Sequence, residues 1–203
     1  MSSDSRSNDP TGGPTGPAPS RSVRVTRTYL ALPSFGHLRP GPPPATPARL
    51  VRLAPDAVAE WRLLYGAIGH PYHWHDRDAW SDTELAAHLR RDDVRCFRVQ
   101  ALLPNAPLDA AGFLELETHN DGSVEVVYLG LHQRAHGVGL GRWLVGQAVD
   151  EARRMGATGV WLHTCTLDGP GALPNYLSRG FTVTRVEEYE TRIPEQDSGV
   201  QPA

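Results

Sequence analysis

The chain reads as a single mixed α/β domain (α+β), a sheet flanked by helices, and three features of the sequence predict it. A glycine-rich turn, His136-Gly137-Val138-Gly139-Leu140-Gly141-Arg142, separates a strand-like run, Val124 to Leu131, from a run of helical period that ends near Met155. Upstream, apolar segments follow one another with Asn120-Asp121-Gly122 at a turn, the pattern of an antiparallel meander. The 203 residues are 39% hydrophobic and 21% charged, ordinary values for a chain that closes one core.

Residues 1–47 hold ten of the 18 prolines, with many Ser, Gly and Thr. Such a stretch buries too little apolar surface to offset the entropy of ordering it, so residues 1–20 are expected to be a disordered tail. In the proline-rich extension 21–47, Val23 to Leu30 alternates and can add an edge strand, before Pro40 to Pro47 crosses to the main domain as a stiff linker. That domain is placed at 48–193, with a flexible C-terminus over 194–203. Arg49 to Leu53 reads as a short strand, and Pro55 to Ile68 as a helix with Asp56 in its first turn and Gly69 stopping it. Ser81 caps a second helix to about Arg91, because Glu84 three residues on completes a capping box. Val94 to Leu102, Gly112 to Glu117 and Val124 to Leu131 make the meander. The helix after the glycine turn has apolar residues at 140, 144, 148, 152 and 155, which packs one face on the sheet and leaves Asp150, Arg153 and Arg154 in water. Gly159 to Thr164 is a buried strand, Gly171 to Arg179 a short helix stopped by Gly180, and Phe181 to Arg192 the last strand or hairpin.

Charge and composition remove several classes of function. A net charge of −3 with scattered arginines offers no basic stripe to nucleic acid. No apolar run approaches membrane-spanning length and the N-terminus lacks the apolar centre of a signal peptide, so a cytoplasmic protein is expected. Cys96 and Cys165 form no disulfide framework and suit a reducing compartment as buried small hydrophobes. All 20 basic residues are arginine, which excludes Schiff-base, pyridoxal-lysine and P-loop chemistry.

The glycines at 137, 139 and 141 leave backbone N–H groups uncovered, and the helix that follows points its positive end at the same place, so the turn suits a diphosphate. It is not a dinucleotide fingerprint, whose third glycine would fall at Arg142. The turn is preceded by Val124-Glu125-Val126-Val127-Tyr128-Leu129-Gly130-Leu131 and followed by Arg142-Trp143-Leu144-Val145. Further on comes Ala172-Leu173-Pro174-Asn175-Tyr176-Leu177-Ser178-Arg179-Gly180-Phe181. Together these resemble the GNAT superfamily of acetyl-CoA-dependent N-acetyltransferases, from about Ala48 to Arg192 and most densely over Val124 to Phe181. The resemblance implies a mixed, mostly antiparallel GNAT-like sheet and acetyl-CoA as co-substrate. The family motif Gln/Arg-x-x-Gly-x-Gly/Ala fits best ending at Gly141, which puts His136 in the Gln/Arg position. A second frame, Arg134-x-x-Gly137-x-Gly139, matches the letters but places the helix start less well. By resemblance, His136, Gly137, Val138, Gly139, Leu140, Gly141 and Arg142 hold the cofactor phosphates, while Leu129, Gly130 and Leu131 pair with its pantetheine arm. The asparagine common in the family seven residues before its tyrosine is here Gly169, beside Asp168.

Attack of an amine on a thioester requires that a proton leave the ammonium, an oxyanion be held and a thiolate be expelled. By resemblance Glu125 matches the general-base glutamate of the histone-acetylating branch, and Val124 and Val126 should raise its pKa; a solvated strand-face carboxylate is the competing reading. Tyr176 aligns with the tyrosine that protonates the thiolate, against a packed tyrosine with a bonded hydroxyl. His70 to Trp80 borders the acceptor channel in this fold, where Trp74 or Trp80 can offer a π face and Asp76 a counter-charge to a cationic amine. The same loop reads equally as one anchored by its tryptophans. His73 and His75 lack a clearly placed third ligand, so no metal is expected. Cys165 with His163 suggests an acetyl relay, but a thioester is already activated and direct attack in a ternary complex is simpler. The expected function is therefore N-acetylation of a small-molecule amine, with a peptide or protein amine as the alternative acceptor and a silent acyl-CoA-binding sensor as the alternative class. No nucleic acid or membrane partner is expected, and a homodimer is compatible with the fold.

Overall fold

The computed structural model describes residues 20–103 and 106–194. The expected tail, apart from Ser20, and the expected flexible C-terminus, apart from Pro194, lie outside the described residues. One seven-stranded sheet organises the chain, in the order β2-β3-β4-β5-β6-β1-β7: β1 (Ser20–Leu32), β2 (Ala48–Arg52), β3 (Val94–Leu103), β4 (Ala106–Thr118), β5 (Val124–Leu131), β6 (Val160–Cys165) and β7 (Thr182–Pro194). Only β5 and β6 run parallel; the other neighbours are antiparallel. Among the described residues the α-helices are α1 (Val58–Leu64), α2 (Asp82–Leu89), α3 (Leu140–Arg154) and α4 (Ala172–Ser178). Among the described residues no helix is long and apolar enough to cross a membrane.

The N-terminal strand is longer than expected and is not at an edge. It lies between β6 and β7, with Val25 and Leu30 fully buried. Alternation over Val23 to Leu30 encodes a strand, but its neighbours are more than a hundred residues away and leave no local trace. The segment 21–47 thus supplies an interior strand of the same sheet. Its proline-rich part then crosses the start of α3, where the Ala45 N–H bonds the Val138 carbonyl (3.1 Å).

Each face of the sheet carries its own core. On one, α3 lays Leu140, Leu144, Val145, Ala148, Val149 and Ala152 on the strands, as the helical period requires. This helix ends in a Schellman turn: Gly156, at φ +80°, bonds Arg153, and Ala157 bonds Ala152. On the other face, α1 and α2 pack Trp61, Leu64, Ile68, Leu85, Phe113 and Tyr128. Helix α1 continues as a π-type turn over Tyr65–Gly69, and α2 opens with the expected capping box between Ser81 and Glu84.

Candidate functional site

Strands β5 and β6 touch only from Val124 to Val126, opposite Val160 to Leu162. Beyond that they part, because β6 goes on pairing with β1 while the end of β5 stays with β4. A cavity of about 1160 Å³ opens in the gap. At one end it is bounded by Leu129, Gly130, Leu131, His136, Gly137, Gly139, Gly141 and Arg142, and at the other by Trp74, Asp76, Tyr128 and His163; Tyr176 also lines it. Residues far apart in sequence are thus brought to one place.

Helix α3 begins at the glycine turn. Gly137 and Gly139 have φ of +78° and +85°, conformations that only glycine adopts freely, and Gly139 is the N-cap. The first N–H groups of the helix have no intrahelical acceptor, so the turn presents a positive end to the cavity. A Cβ at Gly137 would meet nothing within 4 Å, so the approach is open. Val138 and Leu140 do not line the cavity; Leu140 is fully buried under the sheet and Val138 packs against the same core. His136 donates through Nε2 to the Leu131 carbonyl (3.2 Å), joining the turn to the end of β5.

Tyr176 projects from α4, whose Asn175 donates to the Gly141 carbonyl (3.1 Å) and so couples the short helix to α3. The ring meets Phe181 edge-on, and no described residue bonds its hydroxyl. Burial, then the charge of Asp168, push the Tyr176 pKa up, which keeps the group protonated. Asp168 accepts from Thr164 Oγ1 (2.6 Å) and the Cys165 N–H (2.8 Å), closing the turn after β6. Burial and Asp168 also push the Cys165 thiol up, the wrong direction for a nucleophile.

The aromatic end of the cavity includes residues that alternation alone misassigns. A bulge at Val127 shifts the β4–β5 register, so Tyr128 lies opposite Glu115 and on the same face as Glu125. The Tyr128 and Tyr65 hydroxyls both donate to Asp76, and the Trp74 ring lies 4.8 Å from that of Tyr128. Trp80 does not reach the cavity; it packs on Arg77, whose guanidinium sits 4.7 Å from its ring, and on His88. Glu125 also stays out of the cavity wall. It is bonded to His119 Nε2 (2.9 Å), and burial outweighs that bond and raises its pKa as expected. His73 and His75 line the cavity, and His75 shares Asp78 with His70 (2.8 and 3.0 Å). The three groups that come together are therefore His70, His75 and Asp78, not the pair of His73 and His75, and the carboxylate is bonded to the imidazoles of His70 and His75.

Beneath this end lies a buried network that sequence reasoning missed. Glu115 is fully buried and accepts from Arg77 (2.5 Å), His88 (3.0 Å), Trp61 (2.8 Å) and Cys96 (3.2 Å). Arg77 in turn stacks over Trp61, Trp80 and Tyr128. An acidic residue inside an apolar strand, with an arginine in a loop of aromatics, was the available signal.

Comparison with known proteins agrees with this architecture. A GCN5-related N-acetyltransferase from Kribbella flavida superposes with a TM-score of 0.56 at 20% identity, covering 85% of this chain and 60% of that one. A GNAT-family acetyltransferase from Novosphingobium aromaticivorans gives 0.54 at 17%, covering 91% and 70%. An aminoglycoside acetyltransferase from an uncultured soil metagenomic sample, solved with trehalose, gives 0.52 at 17%, covering 65% and 86%. At such identities the likeness is one of fold. The chain spans 63% and 52% of the first two solved structures that it matches. None of the curated proteins matches it in sequence. The family model for the acetyltransferase (GNAT) family matches residues 57–181, the span that holds the splayed strands, the glycine turn and Tyr176. The chain belongs to the GNAT acetyltransferase family, whose members are acyltransferases.

Proposed function

We propose that this protein is an N-acetyltransferase that carries the acetyl group of acetyl-CoA to a primary amine of a small molecule, by direct attack in a ternary complex. The observation that carries this reading is the single cavity joining the positive end of α3 to an aromatic and acidic acceptor end across the gap between β5 and β6.

The residues fit the co-substrate. The open glycine turn, the free N–H groups of the first turn of α3 and Arg142 suit a pyrophosphate. The end of β5, released from β6, offers backbone groups to an extended amide chain. When bound, acetyl-CoA supplies an acyl group already activated as a thioester, so no protein nucleophile is needed. A proton-donating role for Tyr176 toward the departing sulfur is supported by its being kept protonated and without a partner among the described residues. Trp74, Tyr128 and Asp76 offer π faces and a carboxylate to an ammonium. A small-molecule acceptor and the reducing compartment suited to two free cysteines complete the proposal.

Calorimetry with acetyl-CoA tests it. Wild type should bind in the micromolar range, and Gly139→Asp, which puts a carboxylate where the phosphates lie and tolerates the left-handed backbone better than most residues, should abolish binding with the circular dichroism unchanged. An amine screen that includes aminoglycosides then follows. No binding by wild type refutes the assignment.

A further inference from the structure

Of His163 and Glu125, the residue that the family resemblance names, His163 is the one that lines the cavity. Glu125 lies outside the cavity wall with a side chain only 14% exposed, whereas His163 lines the cavity with 38% of its side chain exposed. The two share a face of the sheet, and His163 Nε2 stands 3.9 Å from Glu125 Oε1. The other carboxylate oxygen, Oε2, accepts from His119 (2.9 Å), which turns Oε1 toward His163. The Tyr29 ring meets the imidazole edge-on at 5.6 Å and fixes its plane. Asp76 also reaches the cavity, but each of its oxygens already takes a tyrosine hydroxyl.

We propose, on the acetyltransferase reading above, that His163 takes the proton from the acceptor amine and that Glu125 is the positioning residue that holds its tautomer and steadies its cationic form. An N–H at Nε2 directed at Glu125 leaves Nδ1 bare to accept. The distance of 3.9 Å is that of a pair able to close as the ring becomes charged. In the transfer the acceptor, its ammonium proton already lost to solvent, bonds through the free amine nitrogen to the carbonyl carbon and gives one further proton to His163 Nδ1. The carbon–sulfur bond breaks, and the sulfur leaves with the electron pair and takes a proton from Tyr176. Burial, then the charge of Arg27, lower the pKa of His163, so the ring is neutral near pH 7 and free to accept; Asp168, Asp76 and Glu187 act in the opposite sense.

Two measurements on the full chain decide the matter. Long-range proton–nitrogen spectra of the histidine rings should show His163 as the neutral Nε2–H tautomer at pH 7. In Glu125→Gln the pKa of the ring should fall and the Nδ1–H form should grow, and Glu125→Asp should restore part of the difference. A wild-type ring in the Nδ1–H form, or one indifferent to Glu125→Gln, overturns the proposal. Thiol release from acetyl-CoA with water as acceptor, followed against pH, should fall by about 100-fold in His163→Gln while acetyl-CoA affinity is unchanged. A variant that keeps the wild-type rate overturns the catalytic role. Failure of wild type to bind acetyl-CoA would sink the acetyltransferase reading instead, while the ring spectra would still report on the histidine–glutamate pair.

Discussion

The two faces of the sheet are held by different physics. Under α3 the packed residues are aliphatic, from Leu30, Leu114 and Leu116 on the strands to Leu140, Leu144 and Ala148 on the helix, with the ion pair of Arg95 and Glu151 (4.0 Å) beside them. Under α1 and α2 the same sheet buries a carboxylate, a guanidinium and an imidazole among five aromatic rings, those of Trp61, Tyr65, Trp80, Phe113 and Tyr128. Burial of aliphatic surface fixes no side-chain orientation, and the glycine turn on this face presents backbone rather than side chains to the cavity. The loop from His70 to Trp80 presents side chains to the cavity, and directional bonds of Arg77 to Glu115 and His88 set where Arg77, and hence Asp76 and Trp74, can lie.

The largest effect expected from breaking this contrast is at Glu115. Glu115→Ala leaves Arg77 buried without its counter-charge and should cost about 3–5 kcal/mol, measured by urea denaturation. Glu115→Gln, which retains the bonds from Trp61 and Cys96, serves if the alanine variant does not fold. The pH dependence carries a sign. Burial by itself would raise the carboxyl, but the His88 bond and the charge of Arg77 win and hold it at about 2. Since the folded value lies below the unfolded one of about 4.3, the contribution is complete above that pH and is lost as pH falls toward 2. Acid unfolding of Glu115→Gln should lack that component; an unchanged acid limb would mean that Glu115 is not the group that couples protons to this face.

Sequence reached the apolar face almost whole and the polar face only in part. The period of α3, the glycine turn and the Ser81 capping box are local signals, and each element formed where its pattern places it. The apolar neighbours of Glu115 mark it as unusual but do not name its partners, because Arg77 and His88 lie 38 and 27 residues away. Tyr128 was hidden by a bulge, which moves a side chain to the other face without changing the apolar pattern. Trp80 packs on Arg77 and His88 while Trp74 lines the cavity, a difference that the sequence of a loop does not specify. The interior place of β1 was illegible for the same reason as Glu115: strand pairing is a property of the closed sheet.

Glycine sharpens the comparison. A Cβ at Gly130 would meet Ile68 Cγ2 at 2.6 Å and Trp74 Cη2 at 3.0 Å, so the acceptor loop closes on β5 only because that side chain is missing. Gly130→Ala should cost about 1–3 kcal/mol and shift tryptophan fluorescence as Trp74 is displaced. An unchanged spectrum with unchanged stability would show that the loop is not seated by this contact.

On the opposite face the same substitution should have the opposite sign. Gly146 lies inside α3 with helical neighbours on both sides, and a Cβ there would meet nothing within 4 Å. Alanine at this position can gain no contact, so its effect is confined to the backbone freedom that the unfolded chain loses. Gly146→Ala should therefore stabilise the protein by about 0.5–1 kcal/mol. The gain should appear as a raised midpoint in urea with no change in slope, because the surface exposed on unfolding is the same. Destabilisation would mean that α3 needs the glycine for an approach that the apolar face does not reveal, and the contrast between a face held by contacts of specified direction and one held by burial alone would lose its simplest support.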